Sequence, residues 1–170
     1  MNLKFLIAFG LWVSSATGST LAQKTSDVIR IAGLVDRPLM VTMDTLRTIP
    51  IQTGGPINIV STSGQVRRTI QSFRGVLLRD LLDKAHIQMP DQKQKGKYYV
   101  VAQATDGYTA VFAHNELFNN PTGRQVFVLF EEDGKPIGDD GAFVLLTADD
   151  TVTGARHVKW LNRIDVRKVE

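Results

Sequence analysis

The sequence contains no cysteine, and that absence removes several kinds of chemistry at once. There is no disulfide framework, no thiolate to ligate a metal, no thiol nucleophile and no cysteine to carry a lipid. Histidine is scarce too: His86, His114 and His157 lie far apart, and none falls in a zinc-ligand spacing. Nor is there a large excess of one charge, because 20 basic and 17 acidic residues leave a net charge of +3. That is too mild to mark a nucleic-acid binder, so no nucleic-acid partner is expected and any anion site must be local. No run approaches the roughly 18 apolar residues that a membrane-spanning helix needs. The Gly-x-Ser-x-Gly elbow, the phosphate-binding loop and the metalloprotease helix motif are also missing. Asp139, Asp140, Asp149 and Asp150 cluster near turns, where carboxylates are solvated, and the regular calcium-loop pattern is not present. No internal repeat, heptad pattern or low-complexity tract occurs.

What is there begins with a short apolar run over residues 5–13, preceded by Lys4 and followed by small residues. This is the pattern of a signal peptide, too short for a membrane anchor. Two cleavage sites satisfy the small-x-small rule, after Gly18 or after Ala22, and the second is preferred. Residues 1–22 are therefore expected to be a signal peptide, 23–27 a polar leader and 28–170 one domain. The mature chain is expected to be soluble and periplasmic. Roughly 150 residues are one domain's worth and enough for a substantial core.

Alternation and turn chemistry predict a strand-rich α+β domain with mixed sheets and a few short helices. A first strand runs over 28–33. Thr42 caps a short helix with Leu46 inward and Asp44 in its first turn, ended by Pro50. Residues 53–56 read as a turn cluster, and 57–61 and 65–70 as a hairpin about Ser63-Gly64. Leu77, Leu78, Leu81, Leu82 and Ala85 recur at helical spacing, the clearest amphipathic helix in the chain. The polar stretch 89–97 reads as an exposed loop. Strands over 98–104 and 108–113 flank the turn dipeptide Asp106-Gly107, and 115–118 make one helical turn. Further strands are expected over 125–131 and 142–147, and a last long one over 156–169.

Within that last strand, alternation would set His157 and Lys159 on one face, with Arg156 at its entry after Gly154. Together the three would clamp a phosphate or carboxylate, each charge-assisted hydrogen bond contributing roughly 1.5–3 kcal/mol. The alternative is a solvated basic strand end that discourages strand pairing.

The segment GARHVKWLNRIDV at 154–166 closely resembles the closing motif of the sulfite-oxidase-type molybdopterin-binding domain family. RGVLLRDLL at 74–82, DGY at 106–108 and DGKPI at 133–137 are similar to other family motifs, in the same order. The resemblance implies the family's fold over 28–170, a pterin or molybdopterin-like ligand, and basic residues that hold it. Two departures limit what is carried over. The family's oxidases hold molybdenum through a cysteine upstream of the Gly-x-x-Leu helix, whereas the nearest counterpart here is Ser61-Thr62-Ser63-Gly64. A neutral hydroxyl is a poor replacement for a soft sulfur ligand, so no cysteine-ligated molybdenum is expected. In addition, Gly141-Ala142-Phe143 stands where the family usually has Gly-Pro with an Arg nearby.

The expected binding residues are Arg156, His157, Lys159, Tyr108, Asp106 and Trp160, with no catalytic residue and no metal ligand. Trp160 and Tyr108 suit stacking on a pterin, and Asp106 suits its amino-pyrimidine edge. Each has a plainer reading, Trp160 as core and the other two as turn residues. His114 and His86 read as helix-end residues. The resemblance thus implies an exported, non-catalytic pterin-binding protein that reports to the periplasmic domain of a membrane sensor. The alternatives are a molybdopterin-dependent oxidoreductase acting with a partner subunit and a ligand-free interaction domain.

Overall fold

A computed structural model describes residues 27–170. The expected signal peptide over 1–22, and the leader apart from Asp27, lie outside the described residues. In chain order the elements are β1 (Ile29–Gly33), β2 (Leu39–Val41), α1 (Met43–Leu46), β3 (Gln52–Gly54), β4 (Ile57–Val60), β5 (Val66–Ile70), β6 (Phe73–Leu77) and α2 (Leu78–Ala85). A 3-10 turn, Gln92–Lys97, leads into β7 (Tyr98–Ala104), β8 (Thr109–Ala113) and α3 (His114–Phe118). After a second 3-10 turn, Pro121–Arg124, come β9 (Val126–Glu132), β10 (Lys135–Pro136) and β11 (Val144–Thr147). A third 3-10 turn, Thr153–Arg156, and β12 (Leu161–Lys168) close the chain.

The strands form three layers. The outer sheet has the order β2-β1-β12-β7-β8, in which β1 and β12 run parallel and the other pairs antiparallel. A central sheet, β10-β9-β6-β3 with β11 also on β9, lies next to it. The hairpin β4-β5 forms the third layer.

Side-chain alternation explains the stacking. Along β9, Val126, Val128 and Phe130 enter the main core while Phe127 and Leu129 enter a second, smaller one. In β11, Leu145 faces the first core and Val144 and Leu146 the second. The middle of the central sheet is therefore apolar on both faces, which is why β9 and β11 read as nearly continuous hydrophobic runs. Ile57, Ile59 and Ile70 of the hairpin cover its far face. Helix α2 closes the main core with Leu78, Leu81, Leu82 and Ala85, all fully buried. Each leucine contributes roughly 1.5–3 kcal/mol through that burial.

Several sequence expectations agree with this structure. The strand-rich mixed fold is present, Thr42 accepts a hydrogen bond from the Thr45 backbone N–H and Leu46 is buried, and both hairpins pair as expected. Others need correction. Thr53 and Gly54, expected as part of a turn cluster, instead belong to β3, which pairs with β6. No local signal marks strand β6, because FRGVL runs without a break into the helix and Leu77 serves as its N-cap. The polar loop over 89–97 contains a 3-10 turn, capped by Asp91.

The largest correction concerns the strand expected over 156–169, which begins only at Leu161. Thr153–Arg156 is a 3-10 turn, Val158 makes an isolated bridge to Leu145, and Trp160 has φ 48°. Extended alternation therefore does not govern residues 156–160, and the shared face predicted for His157 and Lys159 does not arise from strand geometry.

Candidate functional site

A cleft of about 490 Å3 opens where the hairpin β4-β5, the β7-β8 turn and the segment 154–160 meet. One small hydroxyl fastens two of these parts together. Thr153 is buried; its Oγ1 donates to the Asn58 carbonyl at 2.7 Å and accepts from the Val60 backbone N–H at 2.8 Å. Gly154 lies so close to β4 that an added Cβ would fall 2.7 Å from the Val60 carbonyl oxygen. The third part is fastened by Tyr108, whose hydroxyl donates to the Ala155 carbonyl at 2.9 Å. Tyr108 lines the cleft.

The Trp160 wall has its own backbone device. The Trp160 N–H donates to the Asp140 carbonyl at 2.7 Å, and the Thr105 N–H donates to the Trp160 carbonyl at 3.1 Å. Gly141, at φ 95°, abuts Trp160 so closely that a Cβ there would sit 2.8 Å from the Trp160 Cα. Glycine at 141 and the left-handed conformation at 160 therefore go together. Trp160 is half-buried and lines the cleft, not the main core.

Three cations line the cleft: Arg67, Arg68 and Lys159. Asp140 holds two of them together, accepting from Arg68 at 3.2 Å and pairing with the Lys159 Nζ at 2.8 Å. Glu132 takes a second bond from Arg68 at 2.5 Å. That bond, with the charges of Glu132 and Asp140, raises the Arg68 guanidinium above its ordinary value despite partial burial. Arg67 and Arg68 both reach the cleft because the β4-β5 ladder shifts register between Ile59 and Val60. Arg68 pairs with Ile59 and Val66 with Val60, leaving Arg67 as the extra residue of a bulge. A bulge re-aims side chains that regular alternation would send to opposite faces.

His157 lines the same cleft and is buried. Burial pushes its imidazole down to about 4, with Asp140 opposing the shift and Lys159 and Arg68 adding to it. The ring is therefore neutral at physiological pH. Its Nε2 is buried without a hydrogen-bond partner. Such an atom carries a desolvation cost of roughly 1–3 kcal/mol that a bound polar group would relieve.

Of the six residues expected at the site, the structure brings five to the cleft lining: His157, Lys159, Tyr108, Asp106 and Trp160. Asp106 also serves its turn, one carboxylate oxygen accepting from the Tyr108 N–H at 2.9 Å. The sixth, Arg156, is placed elsewhere. Its guanidinium forks onto Asp150 at 2.7 and 2.5 Å, binds Glu116 at 2.5 Å and lies 4.7 Å from the Phe112 ring centroid. These bonds, led by those to Asp150, raise its pKa despite burial. The cause is the 3-10 turn, which directs residue 156 away from the strand entry that alternation assumed. Sequence reasoning missed Arg67 and Arg68, whose signal is the adjacent pair of arginines opposite Ile59 in a hairpin.

The other histidines lie outside this cleft. His114 begins α3, whose N-cap is Ala113, and its buried ring stacks on Phe118 at 4.6 Å. His86 ends α2 with φ 57° and bonds Asp36 through Nδ1. Among the described residues no group of three or more His, Cys, Asp or Glu is placed to hold a metal ion.

The cleft suits one part of a molybdenum cofactor and not the other. Its volume falls in the range of small-molecule sites, and aromatic walls, an orphaned imidazole nitrogen and three cations suit a flat, hydrogen-bonding, anionic heterocycle. The segment in place of the metal-binding cysteine offers only hydroxyls, of which Ser61 Oγ is already within 3.2 Å of the Gln65 carbonyl and 2.9 Å of Ser63 Oγ. A thiolate-held metal does not fit these residues.

A family model described as the oxidoreductase molybdopterin binding domain matches residues 19–170. NADH nitrate reductases from Volvox carteri and Solanum lycopersicum are each 27% identical, aligning with 84% of this chain and with 19% and 18% of their own lengths. The chain thus spans about a fifth of those relatives. The sulfane dehydrogenase SoxCD from Paracoccus pantotrophus superposes with a TM-score of 0.61 at 21% identity, covering 84% of this chain and 39% of that one.

Proposed function

This chain belongs to the oxidoreductase molybdopterin binding domain family, and from that premise we propose that it is an exported, non-catalytic pterin-binding protein of the periplasm. The observation that carries the proposal is the pairing of a built heterocycle-sized cleft with a complete lack of thiol in the chain. In this reading Tyr108 and Trp160 bracket the ring system, the neutral His157 Nε2 and the free carboxylate oxygen of Asp106 meet its hydrogen-bonding edge, and Arg67, Arg68 and Lys159 hold its anionic substituents. Arg156 braces the turn beneath them. Molybdopterin with its metal would supply oxygen-atom and electron transfer; these residues supply orientation and charge. A partner protein completes the function, and we assign that role to the periplasmic domain of a membrane sensor.

The oxidoreductase names of the relatives favour a second reading, a molybdopterin-dependent oxidoreductase working with a partner subunit. Protein purified from molybdate-fed cells separates the two. Denaturation should release a fluorescent pterin identifiable by mass, with far less than one molybdenum per chain. Stoichiometric molybdenum would establish the second reading, and protein that neither carries nor binds a pterin would leave a ligand-free interaction domain.

A further inference from the structure

One face of the outer sheet joins neither core: its rim side chains are exposed, while Val101 and Asp165 at its centre are buried. The sheet's inner side chains, such as Ile31, Ile164, Ala102 and Phe112, are buried in the main core. On the opposite face, register aligns Met40, Arg30, Arg163, Gln103 and Thr109 in a row across β2, β1, β12, β7 and β8. Asp165, Val101 and Val111 form the next row, and Arg167, Tyr99 and Ala113 a third. Met40 is 62% exposed and Val111 53%.

The charges on this face are unbalanced. Arg163 Nε and Arg167 both donate to Asp165 Oδ2, at 2.7 and 3.2 Å, while Arg30, exposed beside Arg163, has no ion pair among the described residues. Asp165 is only 4% exposed and its Oδ1 has no hydrogen-bond partner. Its two arginine neighbours are themselves half-exposed. Three guanidinium groups, one buried acceptor and a scatter of apolar and aromatic side chains on a rigid sheet make up the composition of a protein interface.

We infer that this sheet face is a docking surface for an acidic protein partner, separate from the ligand cleft. Charge complementarity selects the occupant. Carboxylates would meet the Arg30, Arg163 and Arg167 forks, and a neighbouring N–H or O–H would satisfy Asp165 Oδ1. A protein surface presents both kinds of group side by side, whereas an anionic lipid layer would set phosphates against that unsatisfied carboxylate oxygen. A second copy would bring arginines against arginines across a twofold axis.

Site-specific photocrosslinking in the chain's own host tests this, using the full chain with a photoreactive residue at position 111 or, as a control, at exposed position 93. The expected result is a discrete protein adduct from 111 and none from 93, with the crosslink mapping to a segment of net negative charge. Arg30→Glu should lower the yield by about tenfold, because like charges then face each other. Arg30→Ala, which removes a charge without adding one, should lower it by about threefold. Circular dichroism checks that both variants fold, and the alanine variant decides if the glutamate variant does not. Adducts only with phospholipid or with a second copy, no adduct, an adduct insensitive to Arg30, or a basic contact segment would each overturn the inference. None of these outcomes depends on whether the cleft holds a pterin.

Discussion

The main core and the cleft are built from different kinds of residue held by different forces. Under the outer sheet, Leu81, Phe112, Leu145 and Ile164 are fully buried and fixed by packing. In the cleft, Arg68 and Lys159 are held by Asp140, Tyr108 by one hydroxyl bond and Trp160 by backbone bonds in a left-handed conformation. Changes in the first region should alter stability and leave ligand affinity per folded molecule intact, and changes to the partly exposed side chains of the second should do the reverse, whereas the buried His157 serves both. Arg156, a neighbour of the cleft in sequence, falls on the stability side of that division.

The sharpest separation is expected from Leu81→Ala, which should cost about 2–5 kcal/mol in urea unfolding with no change in pterin affinity of the folded fraction. A negligible stability change would mean that α2 does not present this residue to the core.

Next comes pH. The folded His157 pKa is lowered to about 4 from the ordinary 6.5, so its contribution to stability is complete above pH 6.5 and is lost as pH falls towards 4. The loss should reach at most about 3 kcal/mol, and His157→Gln should flatten this part of the stability profile. An unchanged profile in the variant would assign the acid sensitivity to other groups.

Arg156→Ala should follow, at about 2–3 kcal/mol, because it leaves the part-buried Asp150 and Glu116 carboxylates without their shared partner. Its ligand affinity should change little. A large loss of affinity with unaltered stability would return Arg156 to the binding residues.

The smallest effect on stability belongs to Lys159→Ala, within about 0.5 kcal/mol because Lys159 is itself partly exposed and Asp140 keeps its pair with Arg68. Pterin affinity measured by fluorescence titration should fall by about tenfold. Equal affinity in wild type and variant would remove Lys159 from the site.

Where local rules govern the chain, the fold is legible in the sequence. The leucine spacing of α2, the Thr42 cap and the turns at Ser63-Gly64 and Asp106-Gly107 each act within a few residues, and each appears in the structure. Strand β6 is hidden because its residues flow into helical periodicity, and its strand character comes from pairing with β9, fifty or more positions away. The site was legible in part. Motif resemblance marks His157, Lys159 and Trp160, all of which line the candidate cleft, but periodicity cannot foresee a 3-10 turn followed by a left-handed tryptophan. For the same reason Arg67 and Arg68 went unmarked, since a single bulge overrides alternation at that point.

The two bonds made by the Thr153 hydroxyl have a thermodynamic consequence for recognition. They tie the hairpin to the closing turn as part of folding, so a guest molecule meets walls already in position and loses little affinity to the ordering of loops. Calorimetry on Thr153→Val should then report a more unfavourable binding entropy, a penalty that the single oxygen atom now spares the complex.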